Sequence, residues 1–472
     1  MEQKKDKSLV NVSRNTFIGV VALLVALMIA AIVLTYIIPR GEFGQTAEGV
    51  TDYLDYRRLE GRGGIPLWKG LLAPVLVFGS SNGITLIMLT LFLLVIFGAF
   101  QVMNDAGGIR ALVGSVARRF GKRRKLLLAV LTLVFMCFGA FLGQFEEMLT
   151  LLPIVTALCV LVGFDSFTGF LVSIIACGFG FASAITNPFT VLLASSMIGA
   201  DPMQNIWYRI IIFAVMYLLM LGFVFLYTAR IGKNPASSLT LAHDEKLRAE
   251  GGGGGFADEK RTRRVYTVFL LVCLVLLASF SFISGLRDYT VVMLTAYFLI
   301  FGTAAGLLCG MGFSSVIKSF LKGVVGALPT VVFIALASSV KYIFDEGAVM
   351  STIIHAINTV TAGRSPFMIA LILYGIILVL EFFISSSTAK AILVMGMLAV
   401  VNVGLTKHML VLIYTFADGY TNVLFPTSPV LLIALSMIEV DYFKWVKKSL
   451  PLFIVNLALV VFFIFLGIVI GY

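Results

Sequence analysis

The sequence predicts an all-α polytopic membrane protein made of two inverted repeats, each with a polar-tipped hairpin and a broken helix. Three observations predict it. The first is composition: 60% of the residues are hydrophobic and 12% charged, with a mean hydropathy of +1.04, whereas a soluble domain is about half apolar and a quarter charged. The second is pattern, a succession of apolar runs long enough for helices to span a bilayer, with no strand-type alternation to suggest a barrel. The third is a repeat. Asp105 and Asp345, Gly107 and Gly347, Glu146 and Ser386, Ala194 and Ala434, Ser196 and Ser436, Met197 and Met437, and Asp201 and Asp441 all stand 240 positions apart. A constant offset kept over roughly a hundred residues marks duplicated architecture.

Taken in order, the first span covers about 17–38. It is too long for a signal-peptide core and ends in PRGEFG, so it is expected to be retained. A mixed-charge connection and a span at about 84–103 follow, then a basic cluster from Arg110 to Lys125. Next come two apolar runs separated by Glu146-Glu147, a run from Phe167 interrupted at Thr186-Asn187-Pro188, and a span at about 206–230. These make up the first repeat, 1–230. Residues 231–265, with GGGGG and mixed charges, are expected to be a flexible cytoplasmic linker. The remainder, 266–472, is read as a connecting helix at 266–284 followed by the second repeat. Its runs are interrupted at Ser385-Ser386-Ser387-Thr388, at Thr421-Asn422, and at Pro426-Thr427-Ser428-Pro429.

Charge sets the expected orientation. The formal net charge of +11 is gathered near Arg110–Lys125, Arg230–Arg264 and Lys444–Lys448, which the positive-inside rule places in the cytoplasm. The charge is therefore topological, and no nucleic-acid partner is expected. The repeat mate of the first basic cluster carries one arginine and two acids, so the repeats are expected to be inverted. The N-terminus is then cytoplasmic and the C-terminus external. The five cysteines lie within apolar runs without metal-ligand spacing, and the three histidines are far apart. No metal, cofactor or enzyme chemistry is expected.

The four interruptions should converge, because paired broken helices in inverted repeats point to a secondary transporter with a midplane site. Proline frees backbone groups, and Ser, Thr and Asn add short donors and acceptors. The plainer alternative is packing kinks with the hydroxyls back-bonded to their own helices. Glu146 and Glu147 occupy the place that Ser386 and Ser387 hold in the other half. A carboxylate within the membrane is costly unless it meets water or a partner. Glu381 and Asp418 are the other embedded acids and Lys341 and Lys390 the embedded bases. Acids outnumber bases, which suits a guanidinium or ammonium substrate group better than a dicarboxylate. The competing reading has one glutamate simply paired with Lys390.

The stretches GQFEEMLTLLP, FGFASAITNPFTVLLASSMIGADP, EFFISSSTAKAILVMGMLAVVNVG and FADGYTNVLFPTSPVLLIALSMI resemble the YfcC/DcuC-type carriers of the ion transporter superfamily. The resemblance covers nearly the whole chain. It implies two inverted repeats with re-entrant hairpins, a homodimer in the lipid bilayer of a bacterial cytoplasmic membrane, and elevator-like movement. The family is named for C4-dicarboxylate carriers, but its YfcC-like branch is associated with basic amino acids, including arginine/ornithine exchange. Glu146-Glu147 depart from the sodium-coupled Ser-Asn-Thr pattern and favour that branch. Glu146 or Glu147 is then expected to receive the cationic group of a basic amino acid. Asn187 and Ser385–Thr388 would meet its α-carboxylate and α-amino groups, in a site that also includes Thr186, Pro188, Asp418, Thr421, Asn422, Thr427 and Ser428. Truncating Asn187 is expected to harm transport more than folding. The alternative is a proton- or sodium-coupled C4-dicarboxylate carrier with Lys341 and Lys390 as anion contacts.

Overall fold

Apolar helical runs fold here into long helices because a backbone in hydrocarbon must satisfy its own hydrogen bonds. The computed structural model describes residues 14–45, 51–59, 64–80, 83–120, 123–251, 259–282, 289–361, 363–384, 387–400 and 404–472. Among the described residues, eight helices are long and apolar enough to cross a membrane, and the chain is a multi-pass membrane protein.

The first half comprises α1 (Arg14–Ile37), a β-hairpin of β1 (Gly41–Gln45) and β2 (Thr51–Arg58), α2 (Gly83–Asp105), α3 (Gly108–Phe120), α4 (Arg124–Cys137) and α5 (Leu152–Leu161). A helix broken into α6 (Ser166–Ala182) and α7 (Pro188–Ile198) follows, then α8 (Ile206–Lys233). The second half begins after α9 (Leu241–Gly251) with α10 (Glu259–Phe282) and α11 (Thr290–Leu308). It continues with α12 (Phe313–Glu346), α13 (Met350–Thr361), α14 (Pro366–Phe383), α15 (Ser387–Val400), α16 (Lys407–Thr421), α17 (Pro429–Met437) and α18 (Tyr442–Val469).

Two of the basic clusters belong to helices. Arg110, Arg118 and Arg119 ride on α3, which buries Ile109 and Ala111. Lys444, Lys447 and Lys448 lie in the opening turns of α18, which Asp441 caps by accepting from the Phe443 and Lys444 amides. A cap of this kind lets a helix start in the aqueous boundary and run inward.

The core lies where the two broken helices cross. α6 packs on α4 and on α16, and α14 packs on α16. Close approach depends on missing side chains. A Cβ on Gly180 would stand 2.0 Å from the Met136 carbonyl oxygen, and one on Gly419 would stand 2.2 Å from the Ala182 Cα. Small residues at crossings bring membrane helices into backbone contact.

The segment expected as a flexible linker contains an ordered clasp. Asp244 on α9 is 1% exposed and accepts from the Ser166 amide at 3.1 Å, the Ser166 hydroxyl at 2.5 Å and the Thr240 hydroxyl at 2.8 Å. Beside it, Asp165 caps α6 through the Thr168 amide at 2.8 Å and accepts from the Tyr227 and Ser238 hydroxyls at 2.6 and 2.7 Å. The glycine run at 252–255 lies outside the described residues. Polar residues that sequence composition assigns to solvent are thus enlisted to satisfy two buried carboxylates.

Candidate functional site

The first hairpin is shaped by an interrupted helix end. α4 leads into a wide turn at Phe138–Leu142, and Gly143 reverses the chain with a φ of +68°, a conformation glycine adopts without steric cost. Glu146–Thr150 form a tight 3₁₀ turn before Pro153 opens α5 at a position where its missing N–H costs nothing. Glu147 is 8% exposed, Glu146 is half-buried, and the 3₁₀ turn packs against α17 of the other half.

The break between α6 and α7 is stitched to this hairpin. The Ile185 and Thr186 amides both donate to the Ala140 carbonyl, at 3.0 and 3.2 Å. Asn187 is fully buried. Its Oδ1 accepts from the Phe189 and Thr190 amides at 2.9 and 3.3 Å, and its Nδ2 donates to the Gly139 carbonyl at 3.1 Å. It therefore caps α7 and clamps the hairpin. The expectation that its truncation would spare folding does not follow from these bonds, because all of them are intramolecular. Thr186 Oγ1 donates to the Phe141 carbonyl at 3.4 Å, and Pro188 is buried at the start of α7.

In the second half the central feature is Lys390, on the first turn of α15 and fully buried. Its ammonium is ion-paired with Glu381 on α14 and with Asp418 on α16, the latter at 2.5 Å. Tyr414 donates to the Ser387 carbonyl at 2.5 Å, tying the start of α15 to α16. Ser385 and Ser386 lie outside the described residues, as does the Thr388 side chain. Thr421 back-bonds to the Ala417 and Asp418 carbonyls, and Asn422 Nδ2 donates to the Asp418 carbonyl at 3.0 Å. Ser428 caps α17 through the Leu431 amide, with Thr427 buried beside it.

The halves are interleaved at these breaks. α15 packs on α7, and the 3₁₀ turn bearing the glutamates packs on α17. Each hairpin thus meets the far part of the other half's broken helix. Buried side-chain oxygens with no hydrogen-bond partner among the described residues include those of Thr150, Thr190, Ser195 and Tyr420, on the 3₁₀ turn, α7 and α16. Such groups are rare in proteins and call for a purpose. Sequence reasoning passed over them because an isolated Thr or Ser in an apolar helix carries no signal of its own.

The two lysines weighed as anion contacts are both compensated. Lys341 pairs with Asp345 on its own helix at 3.9 Å, and Lys390 holds two acids. A third embedded base was missed. Arg209 on α8 is 2% exposed. Its Nε donates to the Tyr472 hydroxyl at 2.8 Å, while Nη1 and Nη2 find no partner among the described residues. Its position between Tyr208 and Ile210, at the head of a long apolar run, was the available signal. A cavity of about 240 Å³ lies elsewhere, between α10 and α11, and its lining of Leu276, Met293, Tyr297 and Phe301 offers little polar chemistry.

The family model described as the C4-dicarboxylate anaerobic carrier, DcuC, matches residues 18–469. This chain belongs to the DcuC family. YfcC of Escherichia coli (strain K12), whose name proposes basic amino acid antiport, is 27% identical over 392 residues, covering 80% of this DcuC-family chain and 76% of YfcC. An uncharacterized protein of Haemophilus influenzae is 21% identical over 368 residues, 76% of this chain and 71% of its own. Among solved structures, MtrF of Neisseria gonorrhoeae, described within a class of antimetabolite efflux pumps, aligns over 94% of each chain at 14% identity and a TM-score of 0.46. The Alcanivorax borkumensis YdaH transporter aligns over 96% of this chain and 99% of its own, at 15% identity and a TM-score of 0.44. Family and helical architecture together identify a membrane transporter.

Proposed function

We propose that this DcuC-family protein exchanges basic amino acids of the arginine/ornithine type across a bacterial cytoplasmic membrane. The observation that carries the proposal is the glutamate pair. Glu146 and Glu147 sit on a 3₁₀ turn packed against the opposite half, while Lys341 and Lys390 are already held by acids. A cationic substrate group would find carboxylates there, and a dicarboxylate would have to break ion pairs to find its lysines. The relative named for basic amino acid antiport supports the same substrate class. In this reading Asn187, Thr186 and Pro188 shape the first break, and Ser385–Thr388 with Asp418, Thr421, Asn422, Thr427 and Ser428 shape the second. The two halves are inverted repeats, the unit is a homodimer, and the breaks travel together in an elevator-like movement.

A second reading, C4-dicarboxylate transport, is favoured by the buried Arg209 guanidinium, whose Nη1 and Nη2 would suit an anion. Arg209 lies beside Tyr472. Counterflow in proteoliposomes separates the two. Labelled arginine should enter only vesicles preloaded with arginine or ornithine, and preloaded succinate should drive none. Uptake of labelled succinate into succinate-loaded vesicles, with none of arginine, would establish the second reading.

A further inference from the structure

We infer that the Lys390 ammonium is a tethered cation: it supplies, from within the chain, the single positive charge that would otherwise have to be bound as a free monovalent cation or a proton between Glu381 and Asp418. Geometry carries the inference. The three groups come from three elements, Glu381 from the last turn of α14, Lys390 from the first turn of α15, and Asp418 from the last turn of α16. All are buried, and both carboxylates reach the one ammonium. Tyr414 is the other titratable group that α16 presents beside them, and its hydroxyl is spent on the Ser387 carbonyl. α7 and β2 also pack on α15; α7 carries no charged residue, and β2 carries Asp52, Asp55, Arg57 and Arg58.

Each charge sits against its own helix. A lysine at a helix N-terminus and a glutamate at a C-terminus both oppose the helix dipole, so neither is placed for the benefit of its helix. They are placed for each other, across the tip of the second hairpin. In the first half the positions 240 residues earlier hold Phe141, Thr150 and Gly178, all neutral, so packing of a hairpin on a broken helix does not require the triad. What the triad provides is partial charge balance, one ammonium set between two carboxylates. Without the ammonium two carboxylates would face one another in a buried space, and such a pair holds a cation or a proton or else drives the elements apart. With the ammonium in place, the second hairpin seats on α16 with no free ion.

Thermal unfolding of the full-length protein in detergent tests this without reference to any substrate. At constant ionic strength and neutral pH, the midpoint of the parent should be the same within about 1 °C in choline, sodium and potassium chloride. Lys390→Ala should unfold at lower temperature in choline and recover by about 3 °C or more in sodium or potassium at the same pH, or in choline at pH 5. The salt arm and the acid arm tell a bound cation from a bound proton. The triple variant Glu381→Gln/Lys390→Ala/Asp418→Asn removes both carboxylates together with the ammonium. It should fold, approach the parent midpoint and lose the salt and acid response. Recovery of this kind supports the inference. A Lys390→Ala protein indifferent to salt and acid, a parent that itself requires sodium, or a triple variant that does not fold would each overturn it.

Discussion

At the scale of residues, Glu146 and Glu147 share a turn but differ in burial, Glu147 being 8% exposed and Glu146 half-buried. Glu→Gln keeps size and hydrogen bonding while removing charge. At the carboxylate that meets the cationic group, the change should weaken arginine binding roughly tenfold to a hundredfold, the worth of a charge-assisted hydrogen bond of about 1.5–3 kcal/mol. Protein yield should hold or rise, since a desolvated carboxylate no longer has to be accommodated. Binding by isothermal titration to each single variant checks this, and parent-like affinity in both would remove the glutamates from the site. Asn187 behaves differently. Asn187→Ala abolishes the cap on α7 and strands the Gly139 carbonyl. The loss should reach about 2 kcal/mol and appear as a lowered unfolding midpoint before any transport assay is run.

At the scale of elements, α9 shows how a connection between halves acquires structure. Its Asp244 takes three donors from Ser166 and Thr240, and burial raises its carboxyl above the usual aspartate range, only partly offset by those donors. A raised folded-state value means the folded protein binds this proton more tightly than the unfolded chain. The contribution of Asp244 to stability therefore grows as pH falls through that raised value and shrinks above it. The parent midpoint minus that of Asp244→Asn should increase between pH 8 and pH 5. A difference that stays flat or shrinks on acidification would show that the clasp holds a charged aspartate. Asp244→Ala, which leaves the Ser166 amide without its acceptor, should lower the midpoint at every pH, by about 2 kcal/mol in free energy.

At the scale of the whole molecule, ion pairs and hydrogen bonds sort the chain into two ends. Asp165, Tyr227, Ser238 and Asp244 gather at one end, where His243 also lies 3.5 Å from Glu439. At the other, β2 rests on α13 with Tyr56 stacked on His355 at 4.0 Å. There, too, Lys407 donates to the Gly199 carbonyl at 3.2 Å and Thr406 donates to the Tyr472 carbonyl. The charge asymmetry predicts that the first end is cytoplasmic. A single cysteine at Ser237, in a background freed of the five native cysteines, should resist a membrane-impermeant maleimide in intact cells and react in inverted vesicles. Labelling from outside intact cells would reverse the orientation.

The sequence by itself determined the membrane class, the order of the spans and the places where helices break. These follow from local chemistry: apolar length sets a span, and proline with its polar neighbours removes helical hydrogen bonds wherever it falls. The DcuC family was legible too, because the motif stretches around the breaks are contiguous in the chain. What Asn187, Lys390 and Asp244 do was decided only by tertiary structure. Asn187 reads as a ligand residue from its neighbours, yet its partner Gly139 is 48 residues away. Lys390 could equally have met a substrate or Glu146, until α14 and α16 brought Glu381 and Asp418 to it. Asp244 stands in a stretch whose composition reads as solvated, and it is buried because Ser166, 78 residues earlier, offers it donors. A polar group in a low-dielectric interior takes its role from whichever partner satisfies it, and that partner is chosen by packing between elements distant in the chain.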